Sequence, residues 1–196
     1  MKIKRIVAYI IDIFIISFIS SALFLLPIFK NDYKNYANIT EEYTSAILNA
    51  GSEGLDYDIE LDYLYNMTKS SQPLNIITCG LMFLYFGIFS YLLNGQTIGK
   101  KIMKIKVVPI KGKKLNVNLY MIRTILLNNL LLRIASIISI IYLSKSNWII
   151  ADTIISCISN AVIFLILGFM VFRDDERGLH DVICQTNVIE CKKEKV

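Results

Sequence analysis

The stretch Arg5-Ile6-Val7-Ala8-Tyr9-Ile10-Ile11-Asp12 opens an apolar run that reaches Leu26 with only Ser17, Ser20 and Ser21 as polar interruptions. A run of that length crosses a bilayer, so Asp12 is a carboxylate set inside a membrane span. A charge at that depth costs roughly 2.5–3.5 kcal/mol on insertion scales, which points to a functional group with a definite partner. Arg5 lies two helical turns earlier, on nearly the same face. A plainer reading stands beside the functional one: Arg5 anchors the span at the positive side, and Asp12 locks helices together.

The rest of the chain fits a membrane setting. Of 196 residues 55% are hydrophobic and only 19% charged, and the mean hydropathy is +0.52. The apolar residues come in long runs rather than at amphipathic spacing. Four spans are expected, over residues 6–29, 73–93, 119–142 and 148–172, in a single membrane domain. The fold class is therefore all-α, a four-helix membrane bundle with a small β element in the cytoplasm. The basic, apolar start resembles a signal peptide, but no small-x-small cleavage site precedes Pro27, so it is expected to remain as a span.

Charge orients the bundle. Residues 94–118 carry Lys100, Lys101, Lys104, Lys106, Lys111, Lys113 and Lys114 and no acid. Residues 30–73 carry three lysines against eight acids, a net charge of −5. The positive-inside rule places the lysine loop and both termini in the cytoplasm and the acidic loop outside, as a multi-pass protein of the cell membrane. The net charge of +5 is assigned to anionic lipid headgroups rather than nucleic acid, because the lysines flank apolar runs and lack interleaved aromatics.

Between the spans, Glu41 to Ala50 reads as a short helical run closed by Gly51. Asp56-Tyr57-Asp58-Ile59-Glu60-Leu61-Asp62-Tyr63 fits either a strand or an acidic helix, and its spacing does not match a calcium loop. Lys104 to Ile110 alternates as a strand, Gly112 supplies a turn, and Thr186 to Cys191 reads as the partner strand. Gly80 and Gly87 suit close helix packing, and Trp148 suits the membrane interface. Cys79, Cys157, Cys184 and Cys191 have no zinc or disulfide spacing and read as plain thiols. No metal or cofactor is expected.

Gly95-Gln96-Thr97-Ile98-Gly99-Lys100 is one residue short of a phosphate loop and lacks its hydroxyl, so it reads as a tight turn leaving the membrane, with lysines facing headgroups. In Arg177-Gly178-Leu179-His180-Asp181, His180 reads as a solvated interfacial imidazole and Asp181 as a group near the cytoplasmic surface. The third span is the most polar, holding Arg123, Asn128, Asn129 and Arg133; Asp152 lies one turn inside the fourth.

Arg5-x-x-Ala8-x-x-x-Asp12, then Gly95-x-Thr97-x-Gly99-Lys100 with the strand after it, then Arg177-Gly178-Leu179-His180-Asp181 resemble, in that order, the RDD family of bacterial membrane proteins. The resemblance covers nearly the whole chain except the acidic loop. Lys101 and its neighbours stand where arginines often follow the glycine turn. The resemblance implies Arg5, Asp12 and Asp181 as the residues for which the family is named. It also implies transport, with monovalent cation–proton exchange proposed for some members.

The expected function is transport of small ions or solutes by proton-coupled exchange. Asp12 is the proton or ion carboxylate, with Arg123, Asn128, Asn129 and Arg133 lining the same cavity. Four spans are few for a pathway, which implies a homo-oligomer. The alternative is a non-transporting scaffold, accessory subunit or stress or immunity factor. A soluble enzyme is excluded, because no nucleophile, base and orienting group converge outside the spans. Depths counted at ~1.5 Å per residue put Asp12 with Arg123 and Arg5 with Asp181. Arg133 and Asp152, at different depths, are expected to meet by snorkelling of the arginine.

Overall fold

The computed structural model describes residues 1–52, 54–110 and 116–191. Glu53 of the acidic loop, Lys111, Lys113 and Lys114 of the basic loop and the turn at Gly112 lie outside the described residues.

Helix α1 (Lys2–Phe24) shows why the chain needs a membrane. Its buried residues are Ala8, Asp12, Ile16, Ser20 and Phe24, one every four positions and so one narrow stripe. The remaining faces are just as apolar but uncovered, with Phe14 71% and Phe18 77% exposed. A helix apolar all round with one stripe buried is stable only if lipid covers the rest. The first span ends earlier than residue 29, because Pro27 starts a separate 3-10 turn, Pro27–Phe29.

The acidic segment is not a loop. It forms α2 (Lys30–Ala50) and α3 (Tyr57–Ser70), packed on each other as a helical hairpin. Asp56 decides the ambiguous stretch in favour of helix by accepting a hydrogen bond from the Asp58 amide at 2.9 Å. Leu61 of α3 packs with Ile140 and Trp148, and the Tyr65 and Trp148 rings meet edge-on at 5.3 Å. Trp148 is thus buried beneath the hairpin. Lys145 pairs with Asp62 across the same junction.

The second span combines α4 (Gln72–Met82), a π-helical segment (Phe83–Phe89) and α5 (Ser90–Leu92). Wider turns of this kind rotate the residues that follow and recur at functional sites. Here the segment carries Tyr85 and Phe86. Gly87 sits in ordinary contact with Met121 and Thr124 of the next helix, whereas Gly80 meets nothing within 4 Å and has no packing role.

The segment expected as the third span is broken. Helices α7 (Val117–Leu127) and α8 (Leu130–Tyr142) bend by 61° at Asn128–Asn129. Asn129 adopts the left-handed conformation, φ 50°, which asparagine tolerates better than most residues. The asparagine side chains bridge the break: Asn128 Nδ2 donates to the Thr124 carbonyl at 3.2 Å, and Asn129 Nδ2 donates to Ser159 on the next helix at 3.0 Å. That next helix, α9 (Lys145–Phe172), is the longest. Three described helices or helix runs, Lys2–Phe24, Gln72–Leu92 and Lys145–Phe172, are long and apolar enough to cross a membrane, and the bent pair is a further candidate.

At one end of the bundle α6 (Ile98–Ile102) and α10 (Leu179–Ile183) flank a two-stranded sheet. Strand β1 (Ile105–Pro109) runs antiparallel to β2 (Thr186–Glu190), with Val107 opposite Val188. A lone hairpin is marginal in water, and this one is held by burying Ile105, Val107 and Val188 against Ala8 and Tyr120.

Candidate functional site

Two buried carboxylates organise the strand-bearing end. Asp12 is completely buried on the α1 stripe. It does not meet Arg123. Its Oδ1 accepts from the Tyr85 hydroxyl at 2.7 Å and the Gly99 amide at 2.7 Å, and its Oδ2 accepts from the Thr97 hydroxyl at 2.5 Å. The depth argument failed because α6 folds back against α1 and brings neutral donors to the carboxylate. Gly99 permits this approach: a Cβ there would lie 2.1 Å from the Ala8 carbonyl and 2.8 Å from Asp12 Oδ1. Gly95, at φ +87°, lets the preceding turn press against β1, where its carbonyl accepts from the Val107 amide at 2.9 Å.

Asp181 is the second centre, also completely buried, and not at a surface. Arg5 donates to its Oδ2, so the two ends of the chain are joined where matching depth places them. Arg123 donates to Oδ1 through Nε at 3.0 Å and sits with Nη2 2.9 Å away. Thr186 Oγ1 donates to the same oxygen at 3.1 Å. Burial pushes the Asp181 carboxyl up, but Arg123 and the neighbouring cationic groups outweigh this and hold it below the usual carboxylate range. Arg123 is thus the partner of Asp181, not of Asp12.

His180 is 4% exposed, the opposite of a solvated imidazole. Burial first, and then Arg123, lower its pKa to about 3, so the ring is neutral. Arg123 Nη2 lies 3.2 Å from His180 Nε2. Arginine only donates, so Nε2 accepts and the ring hydrogen sits on Nδ1, which is buried without a partner.

Between α1, the Phe83–Phe89 segment, α7, α8 and α9 lies a cavity of about 410 Å³. Asp12, Arg123, Asn128, Asn129 and Arg133, the five residues expected to line one site, all border it. Asn128 Oδ1 accepts from the Tyr9 hydroxyl at 3.0 Å. Asp152 is not part of it and does not pair with Arg133; it accepts from Ser136 Oγ at 2.7 Å. The helices place the two at different heights, and a serine on α8 reaches the carboxylate first.

Lys100 is the residue that sequence reasoning missed. It faces the cavity wall rather than headgroups, is 9% exposed, and its Nζ has no hydrogen-bond partner. Burial first, and then Arg123, lower its pKa to about 7. Tyr85, Thr97 and Gly99 were missed too as donors to Asp12. The signal available was Thr97-x-Gly99, a hydroxyl and a residue without a side chain in one tight turn.

The cavity is therefore cationic. Arg5, Lys100, Arg123 and Arg133 line it against Asp12 alone, with Asp181 behind the first and third. No curated protein and no solved structure matches the chain. The sequence model of the RDD family matches residues 3–185, nearly its whole length, and the chain belongs to that family.

Proposed function

We propose that this integral membrane protein carries a small solute across the bilayer through the cavity beside α1, with α7 and α8 forming a fourth, broken span and both termini in the cytoplasm. The observation that carries this reading is a cavity between helices whose outer faces are apolar, its wall mostly apolar but holding Asp12, Lys100, Arg123 and Arg133, beside a helix break at Asn128–Asn129. Irregular backbone at membrane depth is tolerated where it lines a cavity, and broken helices form the substrate sites of many transporters. Too few spans are present for a complete path in one chain, so a homo-oligomer completes it. The exposed Lys101 and Lys104 face anionic headgroups at the cytoplasmic side.

Proton-coupled exchange of a monovalent cation is the less favoured form of this reading. Both Asp12 oxygens are taken by Tyr85, Thr97 and Gly99, and four cationic side chains share its cavity. The same saturation supports a second reading, in which Asp12 and Asp181 only hold the helices together in a non-transporting scaffold. Flux in liposomes reconstituted with purified protein separates the two. Transport predicts solute-dependent flux that Asn129→Leu, which breaks the Ser159 contact and fills the cavity, strongly reduces. Folded protein that passes neither ions nor small solutes leaves only the scaffold.

A further inference from the structure

We propose that the end of the cavity formed by Lys100 and Arg123 binds a phosphate-class oxyanion. This rests on the reading that the cavity is the solute site, and it names the chemistry of that solute. Lys100 Nζ is a buried donor with no hydrogen-bond partner among the described residues, on a side chain that lines the cavity. Such an orphan is costly unless something fills its hydrogen-bonding capacity. Arg123 is held in place by Asp181 through Nε and Nη2, so its planar fork is already oriented, and its Nη1 makes no bond among the described residues. A point-charge ammonium beside a pre-oriented guanidinium is the donor set that multi-oxygen anions prefer.

The charge count agrees. Arg5, Arg123 and Arg133 border the cavity with Lys100, which burial leaves only partly protonated at neutral pH, against Asp12 and the adjoining Asp181, so the excess of one positive charge becomes two when Lys100 takes up its proton. A phosphate monoester, close to doubly charged at neutral pH, neutralises that excess. Leu127, Ile166 and Met170 continue the wall beyond the charged end, which suits an apolar body attached to the anion. The phosphate may be free in solution or the headgroup of phosphatidic acid; the chemistry at Lys100 is the same.

Binding would also take up a proton. With Lys100 near pKa 7, and facing Arg5 and Asp12 on α1, Arg123 on α7, and His180 and Asp181 on α10, an added anion favours the ammonium. Above neutrality, where the phosphate is already doubly charged, affinity therefore weakens as pH rises.

The full-length protein in detergent is titrated with inorganic phosphate, and in parallel is reconstituted in phosphatidylcholine nanodiscs with or without phosphatidic acid. Melting temperature is followed in each. At least one source should raise it by several degrees, more at about pH 7 than at about pH 8.5, a range in which the phosphate stays largely doubly charged while Lys100 loses its proton. Lys100→Met should lose that shift, an affinity loss of roughly tenfold or more, while melting higher than wild type without ligand because the orphan amine is gone. Lys34→Met, an exposed lysine on α2 that does not border the cavity, should keep the shift. A response to phosphate identifies a soluble source, and a response to phosphatidic acid alone identifies lipid. Absence of a shift from both sources overturns the proposal. So does an equal shift in wild type and Lys100→Met, a shift lost in Lys34→Met, or a shift that does not weaken between about pH 7 and about pH 8.5. Stabilisation by phosphate without flux would remove the transport reading and keep this one. Monovalent cation flux with no stabilisation would do the reverse.

Discussion

Gly99→Ala is a one-carbon test of how the α6 turn is fixed to α1. The new Cβ would sit 2.1 Å from the Ala8 carbonyl oxygen, where ordinary contact begins near 3.4 Å. Either α6 or α1 must therefore yield by more than an ångström, and neither atom belongs to a flexible side chain. Such a shift breaks the 2.7 Å bond from the Gly99 amide to Asp12 and loosens those from Thr97 and Tyr85. Losing a hydrogen bond to a buried charge costs about 1.5–3 kcal/mol, and overpacking adds about 1–3 kcal/mol. The better helix propensity of alanine returns at most about 1 kcal/mol. The net is about 2–5 kcal/mol, or a fall of several degrees in melting temperature for a chain of this size. Gly168→Ala provides the control: nothing lies within 4 Å of its Cβ position near the C-terminal end of α9, so it should melt at or slightly above wild type. Differential scanning fluorimetry in detergent reads both. If Gly99→Ala melts with wild type, the locking of Asp12 by the turn is wrong.

Asp181→Asn should cost about 3–5 kcal/mol, because it leaves Arg5 and Arg123 buried without their shared counter-ion; an unchanged unfolding midpoint would sink that account. Stability should fall in acid: His180, at about 3 against an ordinary 6.5, and the lowered Asp181 both bind more protons when the chain is unfolded. On the alkaline side Lys100, at about 7 against 10.5, also binds more protons unfolded, so ligand-free stability should climb between those values, and an unfolding curve flat above pH 7 would count against its burial. Cysteine labelling of whole cells should succeed at Ser52→Cys and fail at Gly112→Cys if the lysine loop is cytoplasmic; the reverse result would end that topology.

How much of this was legible depended on whether the deciding physics was local. The strands at Ile105–Pro109 and Thr186–Glu190 were visible because alternation is a two-residue signal, and their pairing followed since neither is stable alone. The joining of Arg5 to Asp181 was visible because both lie at span ends, where depth leaves few alternatives. The break at Asn128–Asn129 was hidden by hydropathy, which averages over a span and is blind to one residue in the left-handed region. The acidic hairpin was hidden because its burial is slight and its helices answer to caps such as Asp56 rather than to an apolar stripe.

The pairing of Asp12 failed for a more instructive reason. Depth along a helix axis is one coordinate, and it ranked Arg123 as the nearest cation to a carboxylate assumed to need one. The chain met that need with an amide, a phenol and a hydroxyl from a turn that folds back into the bundle, and this was possible only because residue 99 has no side chain. Arg123, released from Asp12, went to Asp181 and stiffened there. Lys100, carried inward by the same turn, has no hydrogen-bond partner among the described residues. The glycine that satisfies one buried charge therefore strands another, and the stranded one borders the cavity. Holding the fold together would be served better by a short apolar residue at position 100. The amine there, beside an arginine already fixed in position, is the feature on which the proposed anionic ligand rests.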